Sequence, residues 1–177
     1  MIEVLNGLAA EDYPYDFWRG PTEVRTKADA KQGINCEVLA HMALARMGVQ
    51  LPSALHANEM FFDIQRTGRY MAPVPSDARL LRPGDVMFFG LDWPDRAAEQ
   101  FMPRYSKDGR NDLMNWSDSP IRHVGVVADT VDGSPAVLHT STANGIEVVP
   151  ADVIMSSEWH EKMWGVGRPV ALPGTEV

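Results

Sequence analysis

Three residues of this chain have the types needed for a nucleophile and its base: Cys36, His123 and His139. A thiol attacks best as its thiolate, an imidazole takes the thiol proton near neutral pH, and a second polar side chain fixes that imidazole's tautomer and ring plane. The chain has one cysteine, which excludes an internal disulfide and argues against a thiolate zinc site. Each part alone has another reading. A lone cysteine also serves as a small buried hydrophobe, and two histidines suit a metal as well as a thiol. The combination of a helix-start cysteine with the histidine pair favours catalysis.

The elements that would position these residues are legible. The segment 35–47, NCEVLAHMALARM, is rich in Ala, Leu and Met, and Cys36, Ala40, Ala43 and Met47 share one helical face. Asn35 is a good N-cap, Gly48 a stop, and Pro52 follows, so Cys36 falls in the first turn, where free backbone N–H groups and the helix dipole favour negative charge. A second helix is expected from about Ser53 to Thr67. The turn signal Arg82–Asp85 leads into the buried strand VMFF, and HVGVVAD, AVLHTST, GIEVVP and MWGVGRPVAL read as further strands. Asn144-Gly145 marks a hairpin. His123 opens one strand and His139 lies near the end of the next, so an antiparallel pair makes them neighbours. The segment before Gly33 reads as irregular, with one short helix. Residues 90–121 form a polar, aromatic-bearing loop insertion whose tryptophans would wall a pocket or make a small surface cluster. Helices first and an antiparallel sheet afterwards is an α+β pattern in one domain, 1–177.

Composition narrows the function. A net charge of -8 without a basic stripe disfavours nucleic acid. No apolar run approaches a transmembrane span, and the N-terminus lacks a secretory signal, so the expected location is cytoplasmic or outside by a non-classical route. His41 reads as a surface histidine; His56, His160, Glu59 and Asp63 read as solvated; the ten methionines read as core filler.

Several segments in order resemble the NlpC family of cell-wall cysteine peptidases, within the papain-like superfamily. GINCEVLAHMALARMGVQLP resembles the family's nucleophile helix, LRPGDVMFF its Pro-Gly-Asp strand, RHVGVVAD the strand carrying the base, and VLHTSTANGIEVV the strand carrying the third residue. YPYDFWRGP is similar to the aromatic-glycine segment before the nucleophile. The resemblance runs from Tyr13 to Val149. It implies a papain-like core with the nucleophile helix packed on an antiparallel sheet, Cys36 as nucleophile, His123 as general base and His139 as orienting residue. It also implies amide cleavage in peptidoglycan stem peptides, of the D-glutamyl-diamino acid endopeptidase type, without metal or organic cofactor. Tyr15 maps onto the family's tyrosine. Where the family has Asp-Cys-Ser-Gly, this chain has Asn35, Cys36, Glu37 and Val38. Asn35 and Glu37, which flank the thiol, join Tyr15 as candidate substrate contacts.

Other functions stay open: an acyltransferase or amidase on a non-wall substrate, a catalytically silent binding module on the same scaffold, and zinc held by His123, His139 and a carboxylate. An effector of this kind would have an immunity protein, a secretion machine or a phage particle as partner.

Overall fold

The computed structural model describes residues 7–16, 18–52, 55–90, 121–129, 134–156 and 163–170. The insertion expected at 90–121, apart from its two end residues, and His160 lie outside them. The helices are α1 (Lys27–Ala30), α2 (Cys36–Arg46), α3 (Ala57–Arg66) and α4 (Ala151–Ser156). The strands are β1 (Met71–Val74), β2 (Val86–Gly90), β3 (Ile121–Asp129), β4 (Pro135–Ser141), β5 (Gly145–Pro150) and β6 (Met163–Pro169). They form one sheet in the order β1-β6-β2-β3-β4-β5, and every neighbouring pair is antiparallel.

Alternation along β2 divides the core. Val86 and Phe88 face a large cluster with Leu39, Ala40, Ala43 and Leu44 of α2 and Met60, Phe61 and Phe62 of α3. Met87 and Phe89 face a smaller cluster with Val127, Val137, Val166 and, from α4, Ala151 and Ile154. The architecture is α+β, with the helix that carries the single cysteine packed against β3 and β4.

The start of α2 follows from its first residues. Asn35 is extended, and its Oδ1 accepts the Val38 N–H at 2.9 Å, satisfying one of the donors a helix start leaves unpaired. Gly48, at φ +82, ends the helix in a conformation that costs other residues strain. α3 begins later than expected, at Ala57, because its cap comes from elsewhere: His56 makes no side-chain cap, and the carboxylate of Glu37 accepts the Ala57 N–H at 3.0 Å. β1 was not expected. It is a short edge strand that tolerates Pro73, and Asp63 sets its start by accepting the N–H groups of Tyr70 and Met71 at 2.7 and 2.9 Å.

The Arg82–Asp85 turn anchors the sheet. Asp85, 1% exposed, accepts two hydrogen bonds from the Arg168 guanidinium at 2.7 and 2.8 Å and one from the Arg82 N–H at 2.9 Å, tying β6 to the start of β2.

Candidate active site

The site forms where two strands part. The β3–β4 ladder pairs Asp129 with Pro135 and continues to Val126 with Leu138. Both histidines lie beyond that last pair. At this open end the backbone N–H of Val124 turns to the sulfur of Cys36, as do the N–H groups of Cys36 and Glu37 at the start of α2. The amino end of α2 thus meets β3 at the residue that follows His123.

His123 is buried, and its ring sits 6.0 Å from that of Phe89 across the β2–β3 ladder. Its Nε2 lies 3.2 Å from Nδ1 of His139, with the two rings nearly perpendicular at 85°. A hydrogen bond donated by His123 across that gap puts its proton on Nε2 and makes Nδ1 the acceptor nitrogen of that neutral ring. Gly125 makes the approach of β4 feasible: a Cβ there would stand 2.4 Å from Val137 Cγ1 and 3.5 Å from His139 Cβ. The His-Val-Gly glycine therefore has a steric reason in this chain.

Charge at the site departs from the sequence expectation. Cys36 occupies the helix start, yet burial pushes its thiol up to about 12, and the neighbouring Glu37 charge adds to this. The three backbone N–H groups oppose the shift without overcoming it. Desolvation thus outweighs the helix terminus, and the resting thiol is neutral. Burial also pushes His139 down, against the Glu147 charge and the Thr140 carbonyl, so this imidazole is neutral near pH 7.

Tyr15 is brought to the thiol. It forms a parallel bridge with Ile34, flanked by Ile34 N–H to Pro14 O and Asp16 N–H to Ile34 O, both 2.9 Å. Gly33 permits this closeness, since its φ is +135 and a Cβ would stand 2.5 Å from that of Asp16. Burial is the chief cause that raises the Tyr15 phenol to about 12, with the Cys36 sulfur, once ionised, adding to it. Asn35 caps α2. Glu37 faces away from the strands: its Oε2 accepts from His56 Nδ1 at 2.9 Å.

Several side chains read as solvated are not. His56 is buried and paired with Glu37, and Glu59 is 7% exposed. His41 is half-buried and donates through Nε2 to the Leu55 carbonyl at 2.9 Å. Asp63 is spent on the backbone of the α3–β1 turn. These bonds join residues 14 and 19 apart or cap a turn, so helical spacing alone carries no sign of them.

A solved structure from Staphylococcus aureus subsp. aureus Mu50, described as similar to lipoprotein, NLP/P60 family, superposes on this chain with a TM-score of 0.53. The fold is the NLP/P60 fold. The match covers 96% of this chain and 41% of that one, at 14% sequence identity, so the likeness is one of architecture. No family model and no curated protein matches the chain. In this chain the helix that begins at Cys36 precedes the strands that carry His123 and His139. Among the described residues no helix is long and apolar enough to cross a membrane, and no three His, Cys, Asp or Glu side chains are grouped to hold a metal.

Proposed function

We propose that this chain is a papain-like cysteine hydrolase domain that cleaves amide bonds, with Cys36 as nucleophile, His123 as general base and His139 as the residue that orients it. The observation that carries the reading is the meeting of the α2 amino end with the open end of the β3–β4 ladder, where His123 and His139 are 3.2 Å apart. The likeness to an NLP/P60-family structure supports peptidoglycan stem peptides as substrate, with the D-glutamyl-diamino acid bond as first choice.

A neutral thiol calls for deprotonation at the moment of attack. His123 Nδ1 takes the thiol proton as the sulfur adds to the amide carbonyl carbon, and Nε2–H of His123 donates to Nδ1 of His139. Backbone N–H groups at the start of α2 receive the oxyanion. When the C–N bond breaks, His123 returns its proton to the leaving amine, leaving a thioester. Water, deprotonated by His123, then attacks the thioester carbon. The acid is released and the thiol restored.

The test is mass-spectrometric product analysis with stem-peptide fragments containing a D-glutamyl-diamino acid bond, with wild type and Cys36→Ala side by side. Cleavage by wild type alone, with a thioester trapped at Cys36, supports the reading. Equal cleavage by the variant, or none by a folded wild type against this and other peptide amides, overturns it.

A further inference from the structure

We propose that Glu147 is a positioning residue of this site, a carboxylate on β5 that lies across the ladder from His139 and, through that ring, stabilises the positive charge His123 acquires on taking the thiol proton. The proposal rests on the catalytic reading above. No part of the sequence resemblance assigns a role to Glu147.

The β4–β5 register pairs His139 with Glu147, and directly opposed residues of an antiparallel pair project from the same face. The carboxylate is itself held. Ser141 Oγ donates to Glu147 Oε1, and the Asn144 N–H donates to Ser141 Oγ at 3.0 Å. With a further bond from the Asn144 side chain, these donors keep Glu147 below the usual carboxylate range, so it remains charged wherever His123 works. The tight β4–β5 turn that supplies Ser141 and Asn144 therefore presents a fixed anion to His139.

Among the described residues three groups face His139: the His123 ring from β3, the Glu147 carboxylate from β5, and the Thr140 carbonyl on its own strand, 3.3 Å from Nδ1. Nδ1 cannot donate to the Thr140 carbonyl and accept from His123 at once. A general base at Nδ1 of His123 requires Nε2–H on that ring, and so an unprotonated Nδ1 on His139. His139 then carries its proton on Nε2. A nearby anion favours the charge that spreads across the two rings as the thiol proton arrives, and it opposes the desolvation that weakens His139.

The experiment compares wild type, Glu147→Gln and Glu147→Asp, with Cys36→Ala as control. The first readout needs no substrate: the titration midpoint of His139 by NMR is expected to fall by about half a pH unit or more in Glu147→Gln and to recover in Glu147→Asp. The second is the pH profile of peptide cleavage. Glu147→Gln is expected to lower kcat about 5- to 20-fold with KM within about twofold, and to move the acid limb to lower pH as the base weakens. An unchanged His139 midpoint overturns the proposal. So does a rise in KM with an unshifted profile, which would make Glu147 a substrate contact. Full activity in Cys36→Ala instead sinks the catalytic reading and leaves the His139 titration to decide the role of Glu147.

Discussion

Two histidine sites flank the thiol, and they differ in what faces the ring. On the strand side His139 meets another imidazole and a carbonyl at close range, with a carboxylate only across the ladder, and burial drives its pKa below 6.5. On the helix side burial acts on His56 in the same direction, but the bonded Glu37 carboxylate, with Glu59 and Glu23 nearby, outweighs it and the pKa rises above 6.5. Burial alone does not decide the charge of a histidine; a carboxylate within bonding distance reverses its effect. On the strand side His139 stays neutral near pH 7. The helix pair is committed to joining α2 to α3.

That contrast predicts the largest effect for His123→Ala, a loss of about a thousandfold or more in kcat/KM with the fold retained by circular dichroism. His56→Ala is expected to cost stability while activity per folded molecule stays within about tenfold. Equal kinetic losses in both variants would erase the distinction between the sites.

Gly125→Ala tests the approach of the strands. Overpacking against Val137 is expected to cost about 1–3 kcal/mol in urea unfolding and to reduce activity through displacement of His139. Unchanged stability and activity would mean that β4 yields without consequence for the site.

The smallest effect is a difference in pH dependence. A folded pKa above 6.5 makes the His56 contribution complete below pH 6.5 and lost as pH rises through the folded value. The lowered pKa of His139 has the opposite sign: its contribution is complete above pH 6.5 and lost as pH falls toward the folded value. Glu37→Gln is therefore expected to cost about 1–3 kcal/mol near pH 5.5 and less near pH 8. An equal loss at both would place the value of Glu37 in its bond to the Ala57 N–H.

Much of this molecule is local and therefore readable. The Asn35 cap, the Gly48 stop and the hydrophobic run between them define α2 without reference to the rest of the chain. The same is true of β2 after its Pro-Gly-Asp turn and of the hairpin at Asn144-Gly145. The register of that hairpin was not local: a two-residue Asn144-Gly145 loop would pair Ala143 with Ile146 and set His139 opposite Pro150, whereas the loop spans 142–144, Ser141 pairs with Gly145, and Glu147 falls opposite His139. Other features depend on distant partners. Glu37 reads as an intrusion beside the thiol until His56, 19 residues on, is folded against it. β1 hides behind Pro73, which is acceptable only at a sheet edge. A helix start at Cys36 can be recognised in sequence, whereas the desolvation that raises its thiol depends on side chains brought in by the rest of the fold.

The Asp85–Arg168 pair stitches β6 into the sheet between β1 and β2, both of which precede it by far in the chain. On a ribosome the earlier strands emerge first, and the place between them stays vacant until β6 has been made. Helix α2 and strands β3 and β4 then exist as a nascent chain before the sheet beneath them is closed.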